Sequence, residues 1–197
     1  MYPYFTKSEI NSVLKVLKSG KVNYWTGNKC KEFEKKFSSF HKLKYGIAVS
    51  NGSVGLEIAL KSLDLPLDSE VIVTPRSFVI SATCVLNNGL KPIFADVDDI
   101  GNLSAASIKE KISKKTRAVI LVHIDGSPCD MDNIRSVLKN KKIKIIEDCS
   151  QAHGAKFKNR LVGSFGDISV WSFCNDKIMS TGGEGGMICT NNFKYYK

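Results

Sequence analysis

From Tyr45 onward, short apolar runs alternate with stretches whose apolar residues recur at helical spacing. YGIAVS is followed by GLEIALKSL, EVIVTP by SFVISATCVL, KPIFADV by SAASIKEKI and RAVILVHI by MDNIRSVL, after which comes IKIIEDC. Strand and helix in alternation imply βαβ units and a mainly parallel sheet, because parallel neighbours need a crossover between them. The runs carry β-branched residues on both faces, the pattern of strands covered by helices on both sides. DISVWSF and GGMICT predict two further strands near the end. Upstream, Thr6-Lys7-Ser8-Glu9 reads as a capping box, with Ile10, Val13, Leu14 and Leu17 following at helical spacing and Gly20 placed to end the helix. A second helix carries Phe33, Phe37 and Phe40 on one face, as packing residues. There is no internal repeat, low-complexity segment or linker, and 197 residues fall within the range of one α/β domain.

In such sheets ligands bind outside the carboxyl ends of the strands, so the residues after each strand are the candidates for chemistry. Ser50-Asn51-Gly52-Ser53 lies between a strand and a helix start, where free amides and the helix dipole favour a phosphate. Asn51 or Ser53 also suits a plain helix cap there. The segment is neither a Walker loop nor a GxGxxG dinucleotide fingerprint. Asp148 closes IKIIEDC; it either caps the next turn or presents a carboxylate that keeps a pyridine nitrogen protonated. Lys177 stands just beyond a strand and before Thr181-Gly182-Gly183-Glu184-Gly185-Gly186, read as a tight turn between two strands. Removed from water, its amine becomes nucleophilic toward an aldehyde, whereas a solvated lysine does nothing of the kind.

Charge and cysteine content narrow the function classes. The net charge of +10 would suit a polyanion, but the lysines are dispersed. The one dense run, Lys139 to Lys144, has no interleaved aromatics for stacking on bases and reads as a solvated loop, so no nucleic-acid partner is expected. Six scattered cysteines, without a CxxC pair, read as reduced core thiols, and three dispersed histidines give no metal triad. No window reaches the roughly 18 consecutive apolar residues of a membrane span, and the start lacks a leader pattern, so the expectation is a soluble cytoplasmic protein with no membrane partner.

The stretch IIEDCSQAHGAKFKNRLVGSFGDISVWSFCNDKIMSTGGEGGMICT resembles the signature of the DegT/DnrJ/StrS family of sugar aminotransferases. GKVNYWTG, AVSNGSVGLEIAL, TPRSFVISAT and PIFADVD extend the likeness, in the family's order, over nearly the whole chain. The resemblance implies the α/β fold of fold type I pyridoxal 5′-phosphate (PLP) enzymes, with a mainly parallel seven-stranded sheet sandwiched by helices. Residues 1–197 are then the PLP-binding large domain, with an N-terminal helical segment to about residue 40 and the smaller C-terminal domain absent.

Carried over by position, the resemblance makes Lys177 the lysine that binds PLP covalently and shuttles the proton, and Asp148 the partner of the pyridine nitrogen. Gln151 lies near the ring hydroxyl, Gly52, Ser53 and Ser172 hold the phosphate, and Phe78 stacks on the ring. Thr26 and Gly27 lie toward the sugar; His153 follows the motif with no role assigned. The implied reaction moves an amino group from glutamate to a keto group of a nucleotide-linked deoxysugar, in a homodimer. Gly55 stands where the family commonly has alanine and Ser53 where it has threonine. Relatives with histidine in place of this lysine are dehydratases, so Lys177 favours amino transfer. Left open are another fold type I PLP enzyme and a non-catalytic regulatory or fragmentary protein that keeps the fold.

Overall fold

The alternation of strand and helix is realised in a computed structural model that describes residues 4–197. The first three residues of the expected N-terminal segment lie outside the described residues. In chain order the elements are α1 (Lys7–Ser19), α2 (Lys29–Phe40), β1 (Tyr45–Val49), α3 (Gly52–Ser62), β2 (Glu70–Val73), α4 (Ile80–Asn87), β3 (Lys91–Phe94), α5 (Ala105–Lys111), β4 (Thr116–Val122), α6 (Met131–Leu138), β5 (Lys144–Asp148), β6 (Lys156–Phe157), β7 (Arg160–Leu161), β8 (Ile168–Ser172), β9 (Gly186–Thr190) and α7 (Phe193–Tyr196).

Seven strands form one sheet in the order β1-β9-β8-β5-β4-β2-β3. The strands from β8 to β3 run parallel, while β9 is antiparallel to both β8 and β1. The expected mainly parallel seven-stranded sheet is therefore present, and β6 and β7 pair separately. Successive strand residues point to opposite faces, and both faces are covered. Val71, Val73, Ile120 and Val170 pack with Leu56 and Leu60 of α3, while Ile72, Val119 and Leu121 pack with Ile108 of α5 and Ile134 of α6. Each such aliphatic side chain removed from water contributes roughly 1.5–3 kcal/mol, so this two-sided burial fixes the strand ends that carry the site.

Gly55 shows how closely α3 lies on the sheet. A Cβ there would meet Val170 Cγ1 at 2.7 Å. Alanine in a helix interior gains about 1 kcal/mol over glycine, but overpacking against a stiff buried valine costs about 1–3 kcal/mol. Gly55→Ala is therefore expected to lower the thermal midpoint, by roughly 2–4 °C for each net kcal/mol lost. Val170→Ala in the same chain should recover part of that loss, which thermal melts of the single and double variants measure.

Two aromatic expectations hold and one does not. Phe37 is buried, with its ring 5.1 Å from Trp171 in an edge contact, and Phe33 packs 5.2 Å from Phe173. Phe40 is 61% exposed. The residue after the helix, His41, takes the place against Trp171 at 4.6 Å, which leaves Phe40 outside.

The capping box forms at Thr6 and Glu9, and Gly20 ends α1 in the left-handed conformation at φ 67°. Yet Ile10, Val13, Leu14 and Leu17 remain exposed, so this stripe meets no core among the described residues. Lys139, Lys141 and Lys142 lie in the exposed connection before β5, while Lys144 belongs to that strand and pairs with Asp167 at 2.9 Å. All six cysteines are free thiols; Cys84, Cys129, Cys149 and Cys189 are buried, and Cys30 and Cys174 half-buried. No helix among the described residues is long and apolar enough to cross a membrane.

Candidate active site

The carboxyl ends of the parallel strands and the start of α3 enclose a cleft of about 570 Å³, a volume usual for a small-molecule site. Gly52, Ser53, Phe78, Asp148, Gln151, Ser172 and Lys177 all line it. Thr26 and Gly27 do not. They sit in the loop before α2, folded onto Asn23, whose Oδ1 accepts from the amides of Trp25 and Thr26 at 3.0 Å each.

At the α3 end of the cleft, Asn51 Oδ1 caps the helix by accepting Val54 N–H at 2.9 Å, so the cap role falls to Asn51 and not to Ser53. Gly52 is buried, and a Cβ on it would lie 3.0 Å from Ser172 Cβ and 3.2 Å from Ser150 Oγ. Close approach of β8 to the helix start therefore favours glycine there. The result is a corner where the first amides of an 11-residue helix and three serine side chains converge, the arrangement that binds an anion.

Asp148 and Glu147 are neighbours in β5 with separate tasks. Glu147 is fully buried, and its Oε1 accepts from the amides of Phe165 and Gly166 while Oε2 accepts from Gly163 and His123 Nε2. His123 Nδ1 in turn accepts Cys129 N–H at 3.0 Å, which fixes the ring as the neutral Nε2–H tautomer. With Cys149 these groups form a tight buried cluster, and its hydrogen bonds pin the 163–166 loop. Asp148 belongs to the cleft. Its Oδ1 accepts Ser150 N–H at 3.0 Å, so the turn-capping role exists beside any other. Burial raises its carboxyl above the usual carboxylate range, against the opposing pull of its hydrogen bonds to Ser150.

Lys177 sits on the loop that joins β8 to β9. This loop spans residues 173–185, so the glycine run is its second half rather than a tight turn by itself. Its ends are tied by Phe173 N–H to Gly185 O at 2.7 Å and Thr181 N–H to Phe173 O at 3.2 Å, and Gly182 takes the left-handed conformation at φ 90°. The Lys177 ammonium is 3.2 Å from Asp176 Oδ2, with 21% of the side chain exposed, and that bond holds the Asp176 carboxyl below its usual range.

Ser150 and Asp176, each adjacent to a residue that the motif reading did identify, also line the cleft, as does Glu184, which was read only as part of the glycine-rich turn. Gln151 is held from outside the cleft, its Oε1 accepting Asp125 N–H at 2.7 Å. The Asp-Gly pair at 125 and 126 is a turn signal after a strand and could have revealed that contact. His153 does not line the cleft; burial pushes its ring down to about 4, so it is neutral.

A buried carboxylate, an amine and an anion-binding corner around one cleft can bind a phosphorylated aldehyde and move a proton beside it. The sequence profile of the DegT/DnrJ/EryC1/StrS aminotransferase family matches residues 3–197. The chain belongs to this family. The chain is 41% identical over 171 residues to GDP-perosamine synthase of Escherichia coli O157:H7, a match that covers 86% of this chain and 47% of that protein. The aminotransferase from Psychrobacter cryohalolentis superposes with a TM-score of 0.97 at 48% identity, covering all of this chain and 50% of its own. E. coli GDP-4-keto-6-deoxy-D-mannose-3-dehydratase, solved with bound hydrated PLP, superposes with a TM-score of 0.91 at 26% identity over 98% of this chain and 50% of that one. The chain spans about half the length of the curated relatives it matches.

Proposed function

We propose that this chain is the cofactor-binding part of a PLP-dependent aminotransferase that moves an amino group from glutamate to a keto group of a nucleotide-linked deoxysugar. On this reading residues 1–197 form one PLP-binding unit with an N-terminal helical segment, and the enzyme works in the cytoplasm as a homodimer. The observation that carries it is the presence of Lys177 and Asp148 in one cleft whose corner is the start of α3.

The donor set fits the cofactor. The Gly52 corner, which a Cβ would fill, suits a phosphate held by helix amides and by the Ser53 and Ser172 hydroxyls. Phe78, 70% exposed on the cleft wall, offers a ring face. The Gln151 amide suits the ring hydroxyl. When bound, PLP supplies an electron sink for the negative charge left when an α-proton departs. Lys177 would hold the cofactor aldehyde through its amine and, once free, would carry a proton at the amino acid α-carbon. Asp148 would face the pyridine nitrogen and favour its protonated form. Thr26 and Gly27, which do not line this cleft, would lie toward the sugar in the assembled enzyme.

The reading is tested by incubating the full-length protein with PLP, glutamate and a panel of nucleotide-linked keto-deoxysugars. Formation of 2-oxoglutarate together with an amino sugar, seen by mass spectrometry, is expected. Dehydration of the sugar, or no conversion of glutamate, would reject it.

A further inference from the structure

Asn102 is almost fully buried, at 1% exposure, in the segment after β3, and both ends of its amide bind a neighbouring turn. Its Oδ1 accepts Ile124 N–H at 3.1 Å and its Nδ2 donates to Ser127 O at 3.1 Å. Asp98 fixes Asn102 in turn, its Oδ1 accepting the Asn102 backbone N–H at 2.9 Å. The turn between these two contacts contains Asp125 in the left-handed region, at φ 52° and ψ 25°, a conformation that non-glycine residues adopt at a cost. A strained backbone of this kind persists only where surrounding bonds determine it, and Asn102 ties it on both sides. Arg76 adds a third tie from the surface, with its Nη2 3.2 Å from Asp125 Oδ2.

The strained residue is the one that touches the cleft wall. Asp125 N–H donates to Gln151 Oε1 at 2.7 Å. Because a backbone amide can only donate, the Gln151 carboxamide must turn its oxygen to Asp125 and keep its NH₂ for other partners. We infer that Asn102 is a positioning residue for the cleft: by holding the 124–127 turn it fixes the orientation of the Gln151 amide, so that Gln151 offers a hydrogen-bond donor to an anionic oxygen of the ligand. This inference rests on the proposed PLP chemistry and assigns Asn102, Asp125 and Gln151 one shared task.

The test is a double-variant cycle on PLP affinity in the full-length protein, with the midpoint of the bound cofactor's absorbance against pH as a second readout. Asn102→Ala should weaken PLP binding roughly tenfold, the worth of about one hydrogen bond, and Gln151→Ala by a similar factor. In the Gln151→Ala background Asn102→Ala should change affinity less than about twofold, because the group it acts through is gone. Both single variants should shift the absorbance midpoint in the same direction. Should Asn102→Ala fail to fold, Gln151→Glu decides. It keeps an acceptor for Asp125 but offers the ligand an oxygen in place of a donor, and should bind PLP at least as weakly as Gln151→Ala. Equal losses for Asn102→Ala in both backgrounds, or unaltered affinity for Gln151→Glu, would overturn the inference while leaving the aminotransferase reading intact. If the unaltered protein forms no PLP adduct at Lys177, both fall.

Discussion

Lys177→Arg is expected to abolish covalent PLP capture and to lower amino transfer in the full-length protein by at least about 10³-fold, the scale on which a positioned proton carrier acts. Arginine keeps the positive charge and the reach to Asp176 Oδ2, now 3.2 Å from the ammonium, so the loop from 173 to 185 keeps its anchor. What arginine cannot do is give up its proton; the guanidinium stays charged throughout the working range and supplies no free amine. The expected pattern is therefore an unchanged thermal midpoint for the PLP-free protein, no borohydride-stable adduct at position 177, and no 2-oxoglutarate from glutamate. Residual turnover within tenfold of the parent would show that another group moves the proton.

Asp148→Asn moves stability and activity in opposite directions. Burial raises the Asp148 carboxyl in the folded protein above its ordinary value of 3.8. A raised folded pKa means that the fold prefers the protonated form. The stability this group allows is fully present below that ordinary value and is lost as pH rises through the folded pKa. At neutral pH the PLP-free protein thus carries a buried carboxylate at a cost, and asparagine removes the charge while keeping an oxygen for Ser150 N–H. The melting temperature of the PLP-free variant should rise, by roughly 2–4 °C for each kcal/mol gained, and the difference from the parent should vanish in strong acid. On the proposed reading the same change removes the charge that would keep a pyridine nitrogen protonated, and turnover should fall by about 10²–10³-fold, as for other buried electrostatic groups. A lower melting temperature for the PLP-free variant at neutral pH would mean that the ionised carboxylate is stabilised by its surroundings, and unchanged turnover would mean that its charge does not serve a pyridine nitrogen.

Much of this architecture was legible in the order of apolar runs, because a parallel sheet buried on both faces leaves continuous β-branched segments separated by helical ones. The strand ends were legible too, and the cleft gathers Asp148, Gln151, Ser172 and Lys177 there. Other features depend on tertiary contacts without a local signal. Glu147 and Asp148 are adjacent in β5, yet only the fold assigns one to the amides of the 163–166 loop and the other to the cleft. The contacts among Asn102, Ile124, Ser127 and Gln151 join segments that follow three different strands, and no spacing rule links them. Phe40 fits the helical period and stays outside, because His41 occupies the place against Trp171. The apolar stripe of α1 was read correctly as a helix, but periodicity says nothing about what covers it.

The central claim is that Lys177 captures PLP at this cleft. Borohydride reduction in the presence of PLP, followed by peptide mass mapping of the full-length protein, addresses it most directly. The account predicts a single stable pyridoxyl adduct on the peptide that contains Lys177, lost in Lys177→Arg. An unmodified Lys177 peptide, or an adduct confined to other lysines, would contradict it.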